Sequence, residues 1–559
     1  MRFDAIVVGS GISGGWVAKE LTERGLKVLM LERGPFIEHG GPGYSQDVAL
    51  STRRRDDQIP DEEKALHYPY HVGVSYALFN SNKHFWASDH DHPYETVSGK
   101  PYRWIRGYQL GGRSLTWGRQ SYRWSPDDFE SNKRDGHGVD WPIRYGDLEP
   151  WYDHVEAFAG VSGNYDGIPQ LPDGDFLPPF PFNGVEELAK EKIEAAFPTR
   201  RLIMGRTANL SRVTKVHMDG GRKTCEQHVK CHHGCPIGSY FSTQASTLPA
   251  ANATGNLTVI TDMIVESVTY DPATRRATGV RAINRLTKEG VTYEARLIFL
   301  NASAINTAAL LLNSRSDAFP RGLANGSDQV GRNLMDHVSC RPILGTYPGA
   351  ESEAYQPDRP TGLYVPRYAN VTEDKSYLRG FGMQGGAARM RREGGELDAD
   401  GRPKNAWVIN LLPFGEVLPN PDNRVTLTTA RVDSWGMPLP RIEAEHGANE
   451  KAMMQAAARD AAAMLAAAGC IDITPWEEAG DVLTPPGDRI HEMGTARMGR
   501  DPATSVFNGW GQAHEVENLF CSDGAVMTSA ASMNPSLTYM ALSARAAHHA
   551  ADLLEQGVL

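Results

Sequence analysis

Three cysteines lie close together in the segment TCEQHVKCHHGCPIGS, residues 224–239. They follow the spacing C-x5-C-x3-C: Cys225, Cys231 and Cys235. A disulfide between two of these cysteines would leave the third thiol unpaired, and the spacing of the other cysteines does not indicate a disulfide framework. Zinc could use the same sulfurs with one of three nearby histidines, although no C-x2-C pair is present; these are His228, His232 and His233. Thiolate sulfur is also the expected ligand of an iron–sulfur cluster, and three thiolates indicate [3Fe–4S] unless Cys340 supplies a fourth.

A glycine-rich turn follows the first strand-like segment of the chain. AIVVGSGISGGWVAKELTERGLKVLMLERG predicts a strand, a turn, an amphipathic helix and a second strand that ends at Glu32. The glycines of the turn have the register G-x-G-x-x-G: Gly9, Gly11 and Gly14. They allow the tight turn, the approach of a pyrophosphate and the packing of helix on strand, in that order. Helix amides then face the phosphates, and Glu32 can accept hydrogen bonds from a ribose. We therefore predict a dinucleotide site, which Ser13 and Arg33 also contact.

Two later segments favour FAD over NAD as the dinucleotide. YRWIRGYQLGGRSLTWGRQ is a second glycine-rich stretch that we expect to contact the ligand through Gly111, Gly112, Ser114, Thr116 and Trp117. A second backbone contact suits FAD, because its isoalloxazine end lies far from its adenine end. Near the C-terminus, Asp523 and Gly524 follow a short strand, and Asn534-Pro535 opens a helix. The start of such a helix suits an electron-rich group such as a reduced flavin or a pyrophosphate.

Length and charge narrow the class of protein. At 559 residues the chain exceeds the roughly 250–300 residues at which a single core stops growing, so we expect two or more domains. The formal charge of -11 argues against a nucleic-acid partner, since phosphate neutralisation needs an excess of Lys and Arg. No apolar run approaches the roughly 18 residues of a membrane span, and MRFDAIVVGSG shows no signal peptide.

Eight segments in the same order resemble the glucose–methanol–choline (GMC) family of FAD-dependent alcohol oxidoreductases. They are the N-terminal fingerprint, GGRSLTWG, NLTVITDMIVESV, LIFLNASAINTAALLLNS, VGRNLMDHV, DNRVTL, HEMGTARMG and NPSLT. The resemblance implies an α/β fold in which a Rossmann-like FAD-binding domain is interleaved with a substrate domain built on an antiparallel sheet with helices. It assigns residues 1–40, 100–125, 220–340 and 480–559 to the FAD domain, including the cysteine loop 224–239. Residues 41–99, 126–219 and 341–479 then form the substrate domain and lid segments.

The resemblance also implies a catalytic pair, His491 in HEMGTARMG and Asn534. Oxidation of an alcohol removes a hydroxyl proton and a carbon-bound hydride. A neutral imidazole can accept the proton, flavin N5 takes the hydride, and the amide can hold the substrate oxygen. Val265 falls at the adenine-contacting position of the family, and Pro535 beside the flavin. Thr116 stands where pyranose-oxidising relatives carry a histidine bonded covalently to FAD, so the FAD here is expected to be non-covalent.

The cysteine spacing is similar to that of the large catalytic subunits of bacterial FAD glucose dehydrogenases, which carry a [3Fe–4S] cluster. A reduced flavin holds two electrons and a cytochrome accepts one at a time, so a cluster between them would relay electrons singly. The resemblance implies two partners, a small subunit with a twin-arginine signal and a c-type cytochrome. It implies export to the periplasm together with such a subunit, and a cytoplasmic enzyme is the alternative.

The substrate is expected to be a sugar. Gln384, Asn410 and Glu416 lie in segments that should form the substrate sheet, where they would bind hydroxyl groups or serve only as bulk polar residues. The combination of flavin loop and cysteine insertion is most similar to glucoside 3-dehydrogenases, which oxidise the C3 hydroxyl of glucose, glucosides and disaccharides. Oxidation of glucose at C1, oxidation of gluconate, or a GMC oxidase with a structural metal site are the alternatives.

Overall fold

The computed structural model describes residues 3–44, 57–227, 231, 234–350, 359–371, 374–391 and 405–559. The strands in these ranges are β1 Phe3–Val8, β2 Val28–Leu31, β3 Glu95–Thr96, β4 Ile203–Met204, β5 Leu257–Ile260, β6 Met263–Asp271, β7 Arg276–Asn284, β8 Gly290–Leu300, β9 His337–Ser339, β10 Ile343–Tyr347, β11 Leu363–Val365, β12 Phe381–Arg391, β13 Asn405–Glu416, β14 Arg424–Val432, β15 Pro438–Glu443 and β16 Leu519–Cys521. The α-helices are Ile12–Glu23, Asp61–His67, Pro126–Asp135, Tyr145–Ala159, Gly184–Ala196, Lys215–Asp219, Thr247–Ala253, Ala304–Asn313, Ala448–Ala468, Trp476–Asp481 and Ser536–Glu555.

The first sheet has the order β5-β2-β1-β8-β7-β6, and β16 also pairs with β8. Strands β5, β2, β1, β8 and β16 are parallel, whereas β6 and β7 are added antiparallel. The parallel strands have continuous apolar runs, such as VLML in β2, because helices cover both faces of such a sheet. The strand, turn, helix and strand predicted for the first 32 residues are confirmed.

The C-terminal helix Ser536–Glu555 packs against the helix Ile12–Glu23 and against the helix Tyr145–Ala159. The helix Tyr145–Ala159 falls in the range 126–219 that we assigned to the substrate domain. Its buried residues Leu148, Tyr152 and Val155 share a core with β1 and β8 of the first sheet. The helix is therefore part of the layer that supports the first sheet, and the division into domains stays a prediction.

The second sheet is antiparallel and has the order β10-β13-β12-β11-β4, with β9 beside β13. The alanine-rich helix Ala448–Ala468 covers it, because small side chains allow the helix to lie close to β13 and β10. That helix ends at Gly469, whose φ of 90° is the left-handed conformation that glycine adopts readily. The predicted fold class, a Rossmann-like sheet together with an antiparallel sheet and its helices, is confirmed.

A small third sheet, β14-β15-β3, lies beside the first. Its hairpin contacts the helix Ala304–Asn313 that follows β8. Among the described helices, none combines the length and the apolar character that would be needed to cross a membrane.

Candidate active site

A cleft of about 460 Å³ opens where the parallel strands of the first sheet end. Gly9, Glu32, Asn301 and Asp523 follow β1, β2, β8 and β16 and line it. Ligands of open parallel sheets bind at this edge. The second sheet contributes Gln384, Leu412 and Phe414 to the same cleft. Both sheets therefore face one binding space.

The three fingerprint glycines have different steric surroundings. Gly9 has a φ of 95°, and a Cβ there would lie 2.4 Å from the carbonyl oxygen of Asn301. A Cβ on Gly14 would lie 1.9 Å from the carbonyl oxygen of Gly9, so the helix can only approach β1 closely with glycine. A Cβ on Gly11, in contrast, would meet nothing within 4 Å, because this residue faces the cleft. The helix begins at Ile12 with no side-chain cap, so its first amides are available to a phosphate.

Two buried carboxylates fix the backbone at the edge of the cleft. Glu32 accepts hydrogen bonds from the amide and hydroxyl of Ser10 at 3.1 and 2.6 Å, and from the amide of Gly34 at 2.9 Å. Asp523 accepts from the amide of Ser303 at 2.8 Å and the hydroxyl of Thr307 at 2.7 Å. Burial raises the pKa of both groups, and these hydrogen bonds partly offset the effect.

The second glycine-rich stretch folds onto the fingerprint. The amide of Gly111 donates to the Ser10 hydroxyl at 2.8 Å, and Gly111 itself has a φ of 89°. The hydroxyl of Ser114 donates to the carbonyl of Gly111. Most of the predicted cofactor residues line the cleft: Gly9, Gly11, Ser13, Glu32, Arg33, Gly112, Ser114, Thr116, Trp117, Val265, Asp523, Gly524 and Pro535. Gly14 and Gly111 lie behind this lining.

The predicted catalytic pair is brought together in the cleft. The Nδ2 atom of Asn534 lies 3.1 Å from Nε2 of His491. The other nitrogen of this ring, Nδ1, lies 2.8 Å from Nδ1 of His337. The Nε2 atom of His337 in turn lies 3.1 Å from the carbonyl oxygen of Ala531.

This chain of contacts fixes which nitrogen carries each proton. A carbonyl oxygen only accepts, so Nε2 of His337 must donate to Ala531. Neutral His337 then has a lone pair on Nδ1, and this atom accepts the Nδ1–H of His491. The Nε2 atom of His491 is left with a lone pair, which accepts from the Asn534 amide. His491 thus presents its basic nitrogen beside Asn534.

Burial favours the neutral form of His337 and His491. Burial lowers the pKa of His491 well below its usual value, and the neighbouring His337 and the positive charges of Arg489 and Arg113 lower it further. Burial likewise lowers the pKa of His337 to about 4.

Asp336 lies beneath the two histidines and positions the backbone around them. Its carboxylate accepts hydrogen bonds from the amides of His337, His491 and Arg489 at 2.8, 2.9 and 3.0 Å. Burial, followed by the charge of Glu492, raises its pKa to about 7.

One of the three predicted sugar-binding residues reaches the cleft. Nε2 of Gln384 donates to Oδ1 of Asn534 at 2.5 Å, which fixes the orientation of the Asn534 amide. The other two residues have different roles, and our interpretation of them is corrected. Asn410 donates to the carbonyl of Gly386 within the second sheet and does not line the cleft. Glu416 is fully buried and forms an ion pair with Arg379 at 2.5 Å.

The cysteine loop is described for all three cysteines, whereas His228, His232 and His233 lie outside the described residues. None of the three thiols is in a disulfide. Burial raises the pKa of Cys235, and the amides of Ser239, Tyr240 and Ile237, which donate to this cysteine, partly offset it. Burial also raises the pKa of Cys225, which is close enough to Cys231 and Cys235 to be affected by their charges. Cys340 packs in the core of the second sheet with its thiol directed at the carbonyl of Arg341, so it is not placed as a fourth ligand.

Arg119 connects the cysteine loop to the cleft. Its guanidinium donates to the carbonyl of Trp117 at 2.6 Å and to the carbonyl of Cys231 at 3.2 Å. Trp117 lines the cleft and donates through Nε1 to the carbonyl of Phe241 at 2.9 Å. One side chain therefore bridges the predicted flavin loop and a predicted metal ligand.

The sequence reasoning missed Asp336 and His337. Both lie in VGRNLMDHV, a motif that we used for family resemblance but not for the site. It also missed Arg113, which forms an ion pair at 2.6 Å with buried Glu492 beside His491. The signal for all three was their position within quoted motifs.

Comparisons with known proteins identify the family of the chain. Family models described as GMC oxidoreductase match residues 3–339 and 419–543. The chain is 29% identical to 2-methyl-1,2-propanediol dehydrogenase of Mycolicibacterium austroafricanum, over 97% of this chain and 94% of the relative. It is 27% identical to the fructose dehydrogenase large subunit of Gluconobacter japonicus, over 99% and 98%. Its fold is similar to a variant of formate oxidase from Aspergillus oryzae RIB40, with a TM-score of 0.64, 14% identity and 99% of each chain covered.

Proposed function

Because the chain belongs to the GMC oxidoreductase family, an FAD-dependent family that acts on CH–OH groups, we propose that it is a sugar dehydrogenase. We propose that it oxidises a secondary hydroxyl, C3 of glucose, glucosides or disaccharides, and that its electrons leave through a [3Fe–4S] cluster. The observation that carries the oxidation is the basic Nε2 of His491 held beside Asn534 in a cleft lined by the fingerprint glycines.

The residues of the cleft fit a bound FAD. Gly11 leaves open space in front of the uncapped helix, and Glu32 and Arg33 follow β2, where an adenosine ribose would lie. Thr116 has no nitrogen with which to form the covalent link of its pyranose-oxidising counterparts, so the FAD is held non-covalently. When bound, FAD supplies the acceptor for the hydride that leaves the alcohol carbon.

His491 removes the hydroxyl proton in this proposal. Its Nε2 lone pair is fixed by the bond from Nδ1–H to His337, so the ring does not need to change tautomer. Because burial and neighbouring positive charges lower its pKa, the ring is neutral and able to accept a proton at physiological pH. The Asn534 amide, oriented by Gln384, can donate to the substrate oxygen as negative charge develops on it.

A sugar substrate is supported by the polar groups that converge at this point, and by the fructose dehydrogenase relative, which covers almost the whole chain. The choice of C3 rests on the likeness of the flavin loop and cysteine insertion to glucoside 3-dehydrogenases. Oxidation of glucose at C1 or of gluconate is the alternative.

The electron relay is supported by the chemistry of the cysteine loop. All three thiols are free and partly buried, and those of Cys225 and Cys235 receive hydrogen bonds from backbone amides. Such donors to ligand sulfur are typical of iron–sulfur centres, where they tune the potential. The loop also lies next to Trp117 of the flavin loop through Arg119. A structural zinc ion would use the same donors, and the enzyme would then be a GMC oxidase without a relay.

We propose a small twin-arginine-signal subunit and a c-type cytochrome as partners, with export to the periplasm in their company. The relative from Gluconobacter japonicus is itself described as a large subunit. A cytoplasmic enzyme with a soluble electron carrier is the alternative.

Anaerobic mixing with sugars tests the oxidation directly. Glucose, a methyl glucoside and a disaccharide are each mixed with the purified protein, flavin bleaching is followed, and the product is identified by NMR. His491→Asn should slow bleaching by about 10²–10⁴-fold while FAD content is unchanged. Bleaching by none of the sugars, or at the same rate in the variant, would overturn the proposal.

Metal analysis and a choice of electron acceptor test the relay. Iron and sulfide in the purified protein, and reduction of a c-type cytochrome, are expected. Cys231→Ser should abolish cytochrome reduction and leave flavin bleaching by sugar measurable. Zinc in place of iron, with rapid reoxidation by oxygen, would replace the relay by the oxidase alternative.

A further inference from the structure

Two buried arginines flank the cysteine loop without a carboxylate partner. Arg119 and Arg222 are each 4% exposed. Arg119 donates to the carbonyls of Trp117 and Cys231. Arg222 donates to the carbonyl of Gly238 at 2.9 Å, to that of Phe158 at 3.1 Å and to that of Ser239 at 3.5 Å. Within the described ranges, neither arginine forms an ion pair with Asp or Glu.

Several other buried arginines of the described chain are paired with carboxylates, whereas Arg497 and Arg545 bond only to uncharged acceptors. Arg379 meets Asp135 and Glu416, and Arg123 meets Glu156. A guanidinium removed from water without a counter-charge is costly, and carbonyl dipoles satisfy its hydrogen bonds without neutralising its charge. A negative charge close to Arg119 and Arg222 would offset this cost.

The cysteine loop offers groups that can become anionic beside both arginines. The side chain of Arg222 bonds to the backbone of Gly238 and Ser239, while the amide of Ser239 donates to Cys235. Arg119 bonds to the backbone of Cys231 itself. A metal centre held by three thiolates carries a net negative charge, unlike three neutral thiols.

We infer that Arg119 and Arg222 are the counter-charges of an anionic thiolate-bound metal centre, and that they set its metal affinity and its reduction potential. This inference deepens the proposed function and rests on it for the redox role of the centre. Both residues are positioning residues, because they act on the thiolates and not on the sugar.

The direction of the effect follows from charge. Adding an electron makes the centre more negative, and a nearby positive charge stabilises the reduced state. Removal of one charge should disfavour the reduced state about tenfold, which is about 59 mV for a one-electron couple. Loss of such supporting interactions also weakens metal binding by about 10–100-fold.

The experiment compares the holoenzyme with Arg119→Gln and Arg222→Gln, which remove the charge and keep a hydrogen-bond donor. Arg119→Lys and Arg222→Lys keep the charge. Arg212→Gln is the matched control, since Arg212 is exposed in the same segment and its loss changes the net charge equally. Metal retention is measured by competition with a chelator, and the potential by a redox titration followed by EPR.

The Gln variants should release metal about 10–100-fold more readily than Arg212→Gln and have a lower potential, while the Lys variants should lie closer to the wild type. Metal retention and potential equal to those of Arg212→Gln would overturn the inference, even with the relay intact. If the wild type holds zinc, the relay fails, but the competition assay still tests the counter-charge on the zinc form. If the wild type holds neither iron nor zinc, the electron relay and the counter-charge inference are both overturned.

A double-mutant cycle on thermal stability provides a second test if a Gln variant folds poorly. Melting temperatures are compared for wild type, Arg222→Gln, Cys235→Ser and the double variant. Because Cys235→Ser removes one of the balancing thiolates, Arg222→Gln should destabilise the Cys235→Ser protein less than the wild type. Additive losses would contradict the counter-charge.

Discussion

The role of His337 can be tested because its two hydrogen bonds point in known directions. His337→Leu keeps a side chain of similar bulk but removes the acceptor for the Nδ1–H of His491. His337→Asn is the matched control, because its amide oxygen can occupy the place of Nδ1 and accept the same proton. The pair of variants separates the hydrogen bond from the packing of the ring.

The size of the effect follows from the burial of the site. His337 is 1% exposed, so in the Leu variant the Nδ1–H of His491 faces no water. A buried donor left without a partner costs about 1–3 kcal/mol. This cost disfavours the tautomer that keeps Nε2 free, so the rate of proton removal should fall by about 5–150-fold.

The assay is the rate of flavin bleaching by a saturating sugar under anaerobic conditions. It is measured from about pH 5 to about pH 9, because this range covers the usual pKa of histidine. His337→Leu should lower this rate across the range, and His337→Asn should restore most of it. FAD content, read from the absorbance of the purified variants, should be equal. Equal rates for Leu and wild type would refute the assignment of protons in the His491–His337 pair.

Three further predictions concern the supports of the site. Asp336 has a folded pKa of about 7, above its unfolded value, so its contribution to stability is complete below about pH 4 and is lost as the pH rises through 7. The difference in melting temperature between wild type and Asp336→Asn should therefore shrink from pH 4 to pH 7. A difference that grows would show that folding lowers the pKa of Asp336. Glu416→Gln should destabilise the protein by about 3–5 kcal/mol, because it leaves the charge of Arg379 partly uncompensated. The KM for sugar should be unchanged. A raised KM would indicate that Glu416 binds the substrate after all. Gly11→Ala should fold normally but retain less FAD. Gly14→Ala should fail to fold, since only the Cβ at position 14 collides with backbone. Full FAD content in Gly11→Ala would contradict the phosphate site.

Much of the first sheet could be predicted from local sequence. Apolar runs such as VLML and the spacing of Gly9, Gly11 and Gly14 are constraints between neighbouring residues, because periodicity and backbone sterics act over short distances. The same is true of the alanine-rich helix and of its end at Gly469. The positions of His491 and Asn534 came from motif resemblance, and the structure brings the two side chains within hydrogen-bonding distance.

Other features were decided by contacts between distant parts of the chain. His337 and His491 are separated by 154 positions, and Arg119 and Cys231 by 112. Glu416 has the polar character of a sugar ligand in sequence, yet its strand places it opposite Arg379. Sequence alone therefore determined the nucleotide fold, the glycine turn and the identity of the thiol ligands available. Only the tertiary structure decided which nitrogen of His491 is basic and which charges face the cysteines, since hydrogen bonds and ion pairs depend on how separate elements dock.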